Sequence, residues 1–192
     1  MVGTTIVRGP KDFSHNNFLS LQDIHGALTA ILFPEVVPAE KRFHLTESDY
    51  HFLYTYLCMY PRESDYPRYS PKYYGDSYKK YLVYGARQQK IENDSIRIFN
   101  IVGQSYGYLS DCAYIVNYDR KIEFMVSAVL YVNKNEIFND GKYEYTTIGF
   151  PFLEELGKAL YTYELKREKE NPPDLSRFKA NNASYFRQTQ DK

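Results

Sequence analysis

Cysteine is nearly missing from this sequence. Its two residues, Cys58 and Cys112, are too few for a disulfide framework or a metal cage. Cys58 falls on the apolar face of an expected helix and Cys112 on the apolar parity of an expected strand. Both therefore read as small buried hydrophobes, with a single bridge between them left open. Net charge is missing as well: lysine plus arginine equals aspartate plus glutamate, 24 of each. That balance removes the electrostatic case for nucleic acid or an anionic membrane as the main partner. No apolar run approaches the length that spans a bilayer, and no basic, apolar, small-residue leader opens the chain. His15, His25, His44 and His51 show no ligand spacing of the H-E-x-x-H kind, and there is no phosphate-binding glycine loop. Neither a metal site nor a cofactor is expected, and no internal repeat is visible.

What the 192 residues do contain is enough apolar sequence for one domain with a core, and an unusual 21 tyrosines. The tyrosines are densest between Tyr50 and Tyr84. They suit a stacking platform for sugar or peptide ligands, but several fall on helix stripes where packing alone accounts for them, so half-buried rings are the plainer expectation. The spacing predicts three strands: one from Ile96 ending at Gly103, one from Gly107 to Tyr118, and one from Ile122 to Val132. The short polar turn Asp119-Arg120-Lys121 makes the last two antiparallel. In the third run Ile122, Phe124, Val126, Ala128, Leu130 and Val132 share one face, with Met125, Val129 and Tyr131 on the other. Apolar residues on both faces predict a central strand.

Helices are expected on either side of these strands. Ser20 with Asp23, and Thr46 with Asp49, read as capping pairs ahead of apolar stripes. The first helix closes at Pro34 and Pro38, the second at Pro61. A short helix is predicted over 76–84, stopped by Gly85. A last helix covers 149–166, opened by Pro151, with Phe152, Leu153, Leu156, Leu160 and Tyr163 as its apolar stripe. Arg62, Glu63, Asp65 and Arg68 read as a solvated mixed-charge loop with local ion pairs rather than as a carboxylate dyad. The fold class is thus α+β: a mainly helical region over 1–95, antiparallel strands plus a covering helix over 96–168, and a polar tail over 169–192 whose end is expected to be disordered.

The runs IFNIVGQSYGYLSDCAYIV, EFMVSAVLYVN and IFNDGKYEYTTIGFPFLEELGKALYTYE together resemble the C-terminal part of the serine β-lactamase and penicillin-binding-protein superfamily, nearest to its class A β-lactamase-related serine hydrolases. The likeness extends back through FPEVVPAEKRFHLTESDYHFLYTYLCMYPRESDYPRY and so covers most of the chain, resting on the whole pattern rather than on one motif. It implies a serine hydrolase acting on an amide, peptide or ester through an acyl-enzyme, without a cofactor, in a periplasmic or extracellular compartment. The alternative is a non-catalytic relative that keeps part of the fold for binding or assembly.

That chemistry needs a serine with a lysine one helical turn later, and a K-T-G-like triad on an edge strand. The triad falls on Ile101-Val102-Gly103. Gly103 would let backbone approach a substrate, Gln104 would supply an oxyanion N–H, and Ser105 or Tyr106 would line the pocket. Ile101, however, stands where the family has lysine and cannot steer a carboxylate. One S-x-x-K occurs, Ser77-Tyr78-Lys79-Lys80. So short a match recurs by chance, and it lies just before the last strands, whereas the family's nucleophile precedes the helical region. The resemblance therefore implies a partial domain, inactive alone, whose nucleophile segment is absent. Its sheet should have one unpaired edge and its helices an exposed apolar patch at Leu28, Ile31, Leu53 and Leu57. Self-association, or a complementary N-terminal segment, is the expected remedy.

Overall fold

The computed structural model describes residues 4–86 and 89–179. Two helices, α1 (Leu21–Leu32) and α2 (Glu47–Cys58), precede a long stretch of turns. Three strands follow, β1 (Ile96–Ser105), β2 (Tyr108–Asn117) and β3 (Ile122–Tyr131). Helix α3 (Phe150–Lys166) and a single turn, α4 (Ser176–Lys179), complete the chain. The protein is α+β. No described helix is long and apolar enough to cross a membrane.

Both expected capping boxes are present. Ser20 and Asp23 exchange side-chain-to-backbone bonds at the start of α1, and Thr46 and Asp49 do so at α2. Each box satisfies two N–H groups that the first helical turn would otherwise leave unpaired. The strands form one antiparallel sheet in the order β1-β2-β3. β1 and β2 are joined by the two-residue turn Tyr106-Gly107, both residues at positive φ (51° and 89°). This backbone matches strand twist, and it closes the register with Ser105 opposite Tyr108. β1 thus runs two residues beyond Gly103.

The central strand is β2, not β3. β3 is covered on both faces yet lies at the sheet's edge, and coverage of two faces leaves the same pattern in either position. On one face Phe99, Cys112, Tyr114 and Val116 pack under α1 and α2, with Leu28, Leu32, Tyr54 and Cys58. On the other, Ile98, Leu109, Ala113 and Ile115 pack under Leu153 of α3 and the turn bearing Tyr81 and Leu82. Cys58 and Cys112 are buried free thiols. Leu28 is fully buried, and Ile31, Leu53 and Leu57 are partly covered, so they do not form an exposed patch.

Two further expectations are corrected. The buried side of α3 is Leu153, Glu154 and Gly157, while Phe152 and Tyr163 face outward. The tail is not polar throughout, since Leu175 and Phe178 enter the core beneath α1 and α2; the end called disordered, 180–192, lies outside the described residues. Gly157 explains the close seat of α3. A Cβ there would stand 2.3 Å from Val83 N and 3.0 Å from Leu82 C, both backbone atoms. Gly157→Ala should therefore lower stability by about 2 kcal/mol despite its better helix propensity. Gly26→Ala, with nothing within 4 Å of its Cβ, should raise stability by up to about 1 kcal/mol. Urea unfolding of both variants checks the pair; equal effects of one sign would refute the close approach.

Candidate functional site

Residues 76–84 form turns rather than the expected helix. Lys79 (φ 61°) and Val83 (φ 72°) are left-handed, which no helix accommodates. The turns are held by a distant carboxylate instead of by their own ladder. Asp111, on β2, accepts from the backbone N–H of Tyr81 at 3.1 Å and of Leu82 at 3.0 Å. Asn100, on β1, donates to the other oxygen of Asp111 at 2.9 Å and to Lys79 O at 2.8 Å.

Lys80 completes this buried cluster. Its Nζ donates to Leu57 O at 2.7 Å, Ile98 O at 2.8 Å and Asn100 Oδ1 at 2.6 Å, which uses all three donors. It thereby ties the end of α2 to the outer edge of β1. Burial pulls the Lys80 ammonium down to about 8 and pushes the Asp111 carboxyl up to about 6. Both shifts follow from loss of solvent around the charged form. At neutral pH both groups are charged, joined through the Asn100 amide.

A pocket of about 250 Å³ opens beside this cluster, against the outer edge of β1. Tyr56, Tyr60, Tyr66, Tyr69 and Tyr78 line it, with Ser64, Lys79, Lys80, Asn100 and Val102. The lining contains two cations and no carboxylate. With Lys80 saturated, Lys79 is the cation with donors to spare; its Nζ meets Tyr81 Oη at 3.1 Å. Tyr81 Oη donates in turn to Gln104 Oε1 at 3.3 Å. The rim rings brace one another, Tyr69 against Tyr74 and Tyr74 against Tyr78, with centroids 5.1 and 5.0 Å apart.

The residues singled out from the motifs are distributed unevenly around this pocket. Ser77 is fully buried, its hydroxyl has no hydrogen-bond partner among the described residues, and it does not line the pocket. Its S-x-x-K partner Lys80 meets it in a turn bond, Lys80 N–H to Ser77 O at 2.9 Å, while Lys80 Nζ is committed to Leu57 O, Ile98 O and Asn100 Oδ1. Gly103 and Gln104 continue the strand that walls the pocket, and Gln104 is linked to its lining through Tyr81 Oη and Lys79. Tyr106 points elsewhere and packs on Phe13 and Phe138, 5.9 and 6.1 Å away. Ser105 lies exposed at the hairpin.

The charged loop after α2 is more built than a solvated loop. Glu63 takes a two-pronged bond from buried Arg97 at 2.8 and 2.7 Å, and Arg62 bridges Asp76 and Asp94. These pairs anchor the segment whose Tyr60, Pro61 and Ser64 line the pocket. Sequence reasoning missed Asp111, Asn100 and Lys79 as site residues. Asp111 in an otherwise apolar strand was the available signal, because a lone carboxylate at a core position requires buried partners. Among the described residues no cluster of histidine, cysteine, aspartate or glutamate could hold a metal ion. Comparison with family models, curated proteins and solved structures found no match to this chain.

Proposed function

We propose that this chain is part of a serine hydrolase of the β-lactamase and transpeptidase-like superfamily, acting on an amide, peptide or ester, and that alone it binds without cleaving. The observation that carries the reading is the tyrosine-lined pocket against β1, the strand bearing Ile101-Val102-Gly103. An edge strand beside an aromatic pocket with a spare cation suits an amide-containing ligand with an apolar part. The chemistry calls for no cofactor. Ser64 is the serine in the lining, and its hydroxyl donates to Pro67 O at 2.9 Å, with no base beside it in that bond.

A second reading, a non-catalytic relative that keeps the fold for binding or assembly, draws on the sealed Ser77 and saturated Lys80. Neither is arranged for nucleophilic attack.

The test has two arms. A fluorescent penicillin and a fluorophosphonate should leave the chain unlabelled. Benzylpenicillin or an N-acetylated tripeptide amide should shift the amide resonances of Tyr66, Tyr69, Lys79 and Val102. Stoichiometric labelling abolished by Ser77→Ala would overturn the inactivity, and unmoved pocket resonances with either ligand would overturn the binding site.

A further inference from the structure

The two outer edges of the sheet are not alike. The bonds from Tyr118 N–H to Ser95 O and from Val132 N–H to Gly107 O fix the phase of the ladders. On β1 the even-numbered residues turn their backbone outward, and on β3 the odd-numbered ones do. The β1 edge is stapled by side chains: Ile96 O accepts from Tyr60 Oη at 2.9 Å, and Ile98 O from Lys80 Nζ. Along β3 the outward N–H and C=O groups of Glu123, Met125, Ser127, Val129 and Tyr131 have no partner among the described residues. β3 also lacks the usual protections of an edge. It has no proline and no lysine, and its ten residues, IEFMVSAVLY, carry one charge.

We propose that two copies of this chain pair antiparallel through the outer edges of β3, joining two three-stranded sheets into one of six strands. The strand is complementary to itself. With Ser127 opposite Ser127 on the two-fold axis, Met125 faces Val129 and the lone Glu123 faces Tyr131, so no like charges meet. On the other face the same register sets Phe124 opposite Leu130 and Val126 opposite Ala128, which continues the apolar layer under α3. The half-exposed Val129 and Tyr131 are apolar surface that such pairing covers. Helices α1 and α3 pack against β3 from the faces of the sheet, and the segment 167–173 shares a cavity with Glu123 at one end of the edge. This interface is separate from the tyrosine pocket, which borders β1.

The experiment is sedimentation across a dilution series combined with amide exchange on the unlabelled chain. A dimer is expected at high concentration. In it the amides of Met125, Ser127 and Val129 should be protected and should lose that protection on dilution. The amides of Phe124, Val126 and Ala128, which bond to β2, should stay protected throughout. Val129→Pro removes an outward N–H without touching the β2 ladder and should give a monomer; the same change at Val102, on the other edge, should leave the dimer intact. A monomer at all concentrations overturns the proposal. So does a dimer in which the odd-numbered amides exchange freely, and so does concentration-independent protection of those amides, which would place another segment of the chain on the edge. The exchange pattern decides even if Val129→Pro fails to fold.

Discussion

Phe178→Ala is expected to lower the unfolding free energy by about 4 kcal/mol, the largest effect of any single change considered. Its ring sits at the centre of an aromatic cluster, with Phe33, Tyr54, Phe99 and Tyr114 at centroid distances of 5.8, 5.4, 5.2 and 5.2 Å. Those four rings come from the chain after α1, from α2, and from β1 and β2. No one of them can move to fill the gap without leaving the others, so truncation leaves a cavity as well as lost burial. Arg177 holds the segment in place through Glu35, at 3.1 and 2.7 Å, and Leu32 O at 3.1 Å. Urea unfolding measures the effect, and a loss below about 1 kcal/mol would mean that 175–179 adds nothing to the core.

Asp111 should impose a pH dependence of about 3 kcal/mol on stability. Burial lifts its carboxyl from near 3.8 to about 6, so the folded protein keeps a proton that the unfolded chain has released between those values. Its contribution to stability is therefore complete below about pH 4 and is lost as the pH rises through 6. Lys80, at about 8, stays charged across this interval. Surface carboxylates at the helix caps, Asp23 and Asp49, are held below their ordinary value by Ser20 and Thr46; they act in the opposite sense, and at lower pH. Asp111→Asn removes the titration, so the stability of the wild type relative to this variant should fall by about 2 kcal/mol between pH 4 and pH 7. Parallel curves for the two proteins would show that Asp111 titrates as though exposed.

Local signals carried most of the architecture. The Ser20 and Thr46 boxes are encoded within four residues each, and the parity of Tyr114 and Val116 against Ala113 and Ile115 assigns each side chain to its face of the sheet. What stayed hidden was set by partners far along the chain. Residues 76–84 look helical, but Asp111, about thirty positions on, captures the N–H groups of Tyr81 and Leu82. Lys79 and Val83 adopt backbone angles that their own side chains disfavour. Lys80 is buried while its neighbour Lys79 keeps access to solvent, a difference that adjacent lysines do not announce. The candidate pocket shares this difficulty. Its tyrosines are plain in composition, but their convergence depends on Arg62, Glu63 and Arg97, whose ion pairs span the loop and the sheet. Phe178 was overlooked because one aromatic amid charged residues gives no period to read.

The position of Phe178 also bears on the order in which the fold is assembled. α1 precedes the sheet in the chain, yet its buried face meets β3 roughly a hundred residues later, through His25 and Ser127 at 2.8 Å. Its end is locked by Arg177, 145 positions from Leu32. On a ribosome, α1 must wait, apolar stripe uncovered, until almost the whole described chain has emerged. Such long loops are entropically costly to close and slow to form. During that wait the nascent chain presents Leu28 and Leu32 to its surroundings, and its need for chaperone shelter is set by the arrival of Leu175 and Phe178 rather than by α1 itself.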